Sequence, residues 1–115
     1  MEFKAFKMDG LGNDFLIIDR RKLEFYLSKE EIIKLGKRDH IGFDQVIFIE
    51  KEDDSFIPIT IFNSDGNEVS ACGNGSRCVA YIIGKEKNEE NILLKTSNRI
   101  LKANIVENLK VKINM

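Results

Sequence analysis

Apolar and polar positions along this chain change places in short stretches, and the rhythm of each stretch separates strands from helices. Residues 3–8 and 14–19 read as two strands. Between them lies Asp9-Gly10-Leu11-Gly12-Asn13, whose two glycines and Asn tolerate positive φ. Ser28-Lys29-Glu30-Glu31 is a capping box, with Ser at the N-cap and Glu three residues on. It opens a helix that reaches about Lys37. Residues 45–50 form an apolar run of strand length. Ile57, Ile59 and Ile61 alternate with Pro58 and Thr60, a half-buried strand in which Pro58 marks an edge or a start. Asp65-Gly66-Asn67 is a turn signal.

Past residue 72 the period changes. Cys78, Val79, Ile82 and Ile83 share one helical face, and Ala80 and Tyr81 make much of the remainder apolar, which is the pattern of a buried helix. Gly84 is the expected residue just past its end. Residues 92–96, 100–106 and 109–113 then read as three strands joined by Asn-containing turns. The architecture implied is α+β, with a strongly curved sheet wrapped around one central buried helix.

With 115 residues the chain fits one small domain. Its formal net charge of -1, with Lys and Arg spread along the chain, gives no basic block for nucleic acid. The longest apolar runs, 15–18 and 46–49, are far too short to span a bilayer, and the N-terminus lacks a signal-peptide pattern. The expected location is the cytoplasm. The chain stops at Met115 straight after a strand-like run, which reads as a cut end rather than a polar natural terminus.

Two cysteines, Cys72 and Cys78, are spaced C-x5-C, which is not a zinc spacing, and His40 is the one histidine available to help. No metal is expected, and two thiols fit a cytosolic chain better than a disulfide. Cys72 stands just before the buried helix. The first N–H groups of a helix lack internal partners and carry partial positive charge. A thiol beside them is stabilised as thiolate, and the same groups can hold a carboxylate. Gly73 and Gly75 let a ligand approach the backbone closely. This pairing suits removal of a proton from a carbon next to a carboxylate. The plainer alternative is a small buried cysteine in a Gly-rich turn. Cys78, on the apolar helix face, reads as core.

Three blocks resemble the diaminopimelate epimerase family. Phe6-Lys7-Met8-Asp9-Gly10-Leu11-Gly12-Asn13-Asp14-Phe15 is similar to the family's opening signature, and Arg38-Asp39-His40-Ile41-Gly42-Phe43-Asp44-Gln45 to its second block. The run from Ile61 to Cys78, containing Asn63-Ser64-Asp65-Gly66-Asn67 and Cys72-Gly73-Asn74-Gly75, is similar to its N-terminal active-site signature. The order and spacing agree, and the third block is long and specific.

The resemblance implies two similar domains, each a strongly curved, antiparallel-rich sheet or barrel wrapped around a central buried helix, with the active site between them. This chain, 1–115, would be the N-terminal domain, and the C-terminal domain would be its missing partner. It implies inversion of LL-diaminopimelate to meso-diaminopimelate, for lysine and peptidoglycan precursors, by one thiolate base and one thiol acid, with no cofactor. By matching position, Cys72 is the catalytic cysteine of this half. Asn13, Gln45 and Asn63 contact the substrate, and Gly73 and Asn74 supply backbone donors to its α-carboxylate. From the residues alone, Asn13 and Asn63 could equally cap turns, and Gln45 could satisfy backbone at a strand start. Asp14 is expected to shape the loop after Asn13, Arg77 to pair near the helix start or pack on the surface, and His40 to be a loop residue.

A proline-racemase-like epimerase shares the paired-cysteine logic, but the Gly-Asn-Asp-Phe and Asn-Ser-Asp-Gly blocks argue against it. A non-catalytic binding module of the same fold is opposed by intact Asn13, Gln45, Asn63 and Cys72. A homodimer presenting two copies of Cys72 is a further conceivable arrangement.

Overall fold

The computed structural model describes residues 4–10, 12–22, 26–37, 41–70, 73–97, 99–107 and 110–114. Among these, the elements in chain order are β1 (Lys4–Gly10), β2 (Asn13–Asp19), α1 (Lys29–Gly36), β3 (Gln45–Ile49), β4 (Ile57–Asn63), β5 (Glu68–Val69), α2 (Gly73–Lys87), β6 (Asn91–Lys95), β7 (Ile100–Glu107) and β8 (Lys110–Asn114). They make one sheet in the order β1-β2-β3-β4-β6-β7-β8, with β5 added beside β4. The pairs β2–β3 and β4–β6 run parallel, and the other pairings are antiparallel. The expected α+β, antiparallel-rich architecture is therefore present.

The sheet curls around α2, which contacts β1, β2, β3, β6, β7 and β8. Val79, Ala80 and Ile83 are fully buried against Phe15 and Ile17 of β2, Ile47 and Ile49 of β3, Ile57, Ile59 and Ile61 of β4, and the inner residues of β6 and β7. Cys78 belongs to this cluster, as its place on the apolar face requires. A second cluster fills the outer face, where α1 sets Ile32 against Leu16, Ile18, Phe43, Val46 and Phe48.

These two clusters explain the hydrophobic runs. β2 and β3 are parallel neighbours sandwiched between α2 and α1, so both faces of each strand are buried and the polar positions disappear. β4 and β6 turn one side into the cluster around α2 and keep an alternating pattern of burial.

α1 begins as its sequence dictates. Glu31 N–H donates to Ser28 Oγ (3.1 Å) and Ser28 N–H donates to Glu31 Oε1 (2.9 Å), a complete capping box. Pro58 is the second residue of β4, at the strand's start, while β4 itself is interior to the sheet.

Gly84 does not end α2. The helix runs on to Lys87, and Asn88, at φ 55, adopts the left-handed conformation that follows a helix end. Gly84 is instead buried where α2 crosses β7. A Cβ there would collide with the Ile105 side chain and lie 2.9 Å from the Glu89 carbonyl oxygen. Close approach, rather than chain reversal, accounts for this glycine. No helix among the described residues is long and apolar enough to cross a membrane.

Candidate functional site

One rim of the sheet collects the residues singled out from sequence. β2 and β3 are parallel, so Asn13 and Gln45 start neighbouring strands at the same end. β4 runs antiparallel to β3, so its last residue, Asn63, returns to that end as the partner of Gln45. β5 then leads back into α2, whose first turn carries Gly73 and Asn74.

The side chains meet in two pairs. Gln45 Nε2 donates to Asn63 Oδ1 at 2.9 Å. Asn74 Nδ2 donates to Asn13 Oδ1 at 3.5 Å, a long bond that bridges the helix start and the start of β2. Arg77 Nη1 donates to Asn74 Oδ1 at 3.3 Å, so Arg77 pairs near the helix start as expected. The chain of donation runs from Arg77 to Asn74 to Asn13. These bonds leave the amide NH2 groups of Asn13 and Asn63 and the amide oxygen of Gln45 to face a ligand, two donor groups and one acceptor group. Cys72 and His40 lie outside the described residues, as does Leu11 of the loop before Asn13.

Backbone bonds fix the rim from beneath. Asp14 N–H donates to Asp44 Oδ2 at 2.8 Å, and Asp44 N–H donates back to the Asp14 carbonyl at 2.9 Å. Ser64 N–H donates to the Asp44 carbonyl at 3.1 Å. Asp44 is held in turn by α1: Gly42, at φ 76, donates its N–H to Leu35 O at 2.9 Å, and Phe43 donates to Gly36 O at 3.3 Å. The turn after β4 closes with Gly66 N–H on Asn63 O and Asn63 N–H on Asn67 O, both at 2.9 Å, where the sequence places a turn.

Charge near the rim comes from Asp9 and Asp14, which face each other across the β1–β2 pair. Their side-chain hydrogen bond, and the repulsion between two carboxylates, hold Asp9 above its ordinary pKa, with Lys7 pulling the other way. Lys7 Nζ lies 4.0 Å from Asp14 Oδ2. Asp14 thus sits in β2 and ties it to both β1 and β3; the chain continues as strand after Asn13, where a loop shaped by Asp14 was expected.

Inside the first turn of α2, Ser76 is fully buried and its hydroxyl meets no partner. Sequence reasoning did not single out Ser76 or Asp44. The available signal for Asp44 was its place directly before Gln45, at a strand start.

The arrangement offers neutral amides and a helix start to a small polar ligand. The chain matches the family model described as Diaminopimelate epimerase over residues 5–115. It is 50% identical over 108 residues to the diaminopimelate epimerase of Pelagibacter ubique (strain HTCC1062), an alignment covering 94% of this chain and 39% of that protein. It is 38% identical over 120 residues to the diaminopimelate epimerase of Coxiella burnetii (strain Dugway 5J108-111), covering 100% of this chain and 44% of that one. The chain therefore spans about two fifths of the length of these curated relatives. Among solved structures, a phenazine biosynthesis protein of the PhzF family from Enterococcus faecalis shares the fold at TM-score 0.71 and 15% identity, over 93% of this chain and 42% of that one. The PhzF-family protein of Bacillus anthracis gives TM-score 0.62 at 22% identity, over 96% of this chain and 37% of that one.

Proposed function

This chain belongs to the diaminopimelate epimerase family, and from that premise we propose that it forms half of an active site that converts LL-diaminopimelate to meso-diaminopimelate. The observation that carries the reading is the gathering of Asn13, Gln45, Asn63 and Asn74 on one rim, at the start of α2.

Cys72 directly precedes Gly73, the first residue of α2. In this reading its thiolate takes the α-proton, and the electron pair left on carbon spreads into the adjacent carboxylate. The first N–H groups of α2, at Gly73 and Asn74, oppose that growing charge, which is worth most where water is excluded. A thiol from the remainder of the protein returns a proton to the opposite face. One proton leaves and one arrives, so the configuration inverts and the net charge does not change. The spare NH2 groups of Asn13 and Asn63 suit carboxylate oxygens, and the spare oxygen of Gln45 suits an ammonium group. The reaction asks for no cofactor, and its product serves lysine and peptidoglycan synthesis in the cytoplasm.

The test uses the full-length protein in D2O with LL-diaminopimelate, following loss of the α-proton signal by NMR. Exchange accompanied by meso product is expected. Cys72→Ala should lower the rate at least about a thousandfold, within the range for loss of a positioned base. Absence of exchange in the unaltered protein would sink the reading.

A further inference from the structure

Three segments carry Asn13, Gln45 and Asn63, and each is bound at the residue next to its amide. The neighbour of Asn13 is Asp14, the neighbour of Gln45 is Asp44, and the neighbour of Asn63 is Ser64. Asp44 makes all the connections. Its carboxylate accepts the Asp14 N–H (2.8 Å), its N–H donates to the Asp14 carbonyl (2.9 Å), and its carbonyl accepts the Ser64 N–H (3.1 Å). We propose that Asp44 is a positioning residue, whose carboxylate sets the spacing between Asn13 and the Gln45–Asn63 pair.

The carboxylate bond is the one a side chain controls. Regular β2–β3 pairing begins at Phe15 with Gln45, so residues 14 and 44 lie just outside it. There two bonds tie β2 to β3, the Asp44 N–H on the Asp14 carbonyl and the Asp14 N–H on the Asp44 carboxylate. Without the carboxylate the start of β2 keeps its pairing with β1 and one tie to β3, and its position against β3 loosens. Asn13 would then move relative to Asn74, with which its contact is already long. Gln45 and Asn63 would stay paired, because their bond belongs to the β3–β4 ladder. The Asp44 carboxylate acts on the ligand through Asn13, and a loosened Asn13 weakens binding more than turnover.

The kinetic part of the test rests on the epimerase reading; the spectroscopic part does not. In the full-length protein, Asp44→Ala should raise KM for LL-diaminopimelate about tenfold while kcat falls less than about threefold. Asp44→Asn keeps an acceptor oxygen and should stay within about threefold of the parent on both. By NMR on the same proteins without substrate, hydrogen exchange at the Asp14 amide should accelerate about tenfold or more in Asp44→Ala. The Asn13 side-chain NH2 signals should shift with it, and both should be restored in Asp44→Asn. If Asp44→Ala does not fold, Asp44→Glu, which moves the carboxylate by one methylene, takes its place with the same expectations. Unchanged KM or unchanged Asp14 exchange overturns the proposal, and so does equal damage from Asp44→Asn. If the parent protein does not turn over LL-diaminopimelate, the epimerase reading fails, and the Asp14 and Asn13 signals alone decide the role of Asp44.

Discussion

Among the described residues, Ser76 holds the one buried side-chain polar atom that meets no partner. A buried hydroxyl in that state costs about 1–3 kcal/mol relative to a satisfied one. Ser76→Ala removes the group and inserts the best helix former, so it should stabilise the chain by about 1 kcal/mol. Urea denaturation would show it as a raised midpoint with an unchanged slope; a lowered midpoint would reveal a bond to the hydroxyl. Such a feature is invisible in sequence, because a serine four residues into a helix looks like an ordinary surface residue. Cys78 was legible for the opposite reason: its spacing with Val79, Ile82 and Ile83 declares its face. The amides fall between. Spacing alone left Asn13, Gln45 and Asn63 as turn caps and strand starts, and the structure shows Gln45 and Asn63 to be a cross-strand pair.

Elements were legible wherever a local rule acts alone. The capping box of α1 is a four-residue rule, and both of its bonds are formed. The Glu31 carboxylate is held below its ordinary value of 4.5, chiefly by the Ser28 backbone N–H that donates to it and then by the Ser28 hydroxyl. The folded state therefore favours ionised Glu31. That support for α1 is complete above 4.5 and drains away as pH falls through the lowered value. An NMR titration should place the Glu31 midpoint below 4.5, with amide exchange in the first turn of α1 rising as the carboxylate protonates. A midpoint at or above 4.5 would contradict the capping geometry. Elements were misread where a partner far along the chain decides. Gly84 looked like a helix end, yet it lets α2 lie against β7. Gly84→Ala should destabilise by about 1 kcal/mol: overpacking costs about 1–3 and better helix propensity returns about 1. The Ile105 methyl can swing aside, but the Glu89 carbonyl is backbone. A thermal melt of the variant checks the sign. β5 went unseen because two residues, Glu68 and Val69, are too few to show a period.

At the scale of the molecule, the curved sheet around a buried helix was legible because α2 is apolar on nearly all sides and strands flank it. The parallel β2–β3 contact was not, since periodicity carries no strand direction. The continuous runs in β2 and β3 were its trace, and they make sense once α1 is seen to cover the outer face. The epimerase reading requires a second thiol from outside residues 1–115. This chain alone should therefore convert no measurable LL-diaminopimelate to the meso isomer, while the full-length protein should. Clear turnover by the 115-residue chain as a monomer, verified by light scattering, would contradict the two-thiol scheme.

Asn13 and Asn74 touch across 61 positions of sequence, and Gln45 reaches Asn63 across 18. No excised peptide can present all four amides, since each owes its neighbour to a different turn of the wrap. In the proposed site, recognition belongs to the completed tertiary structure, and a compound gripping all four amides would clasp together segments that lie far apart along the chain.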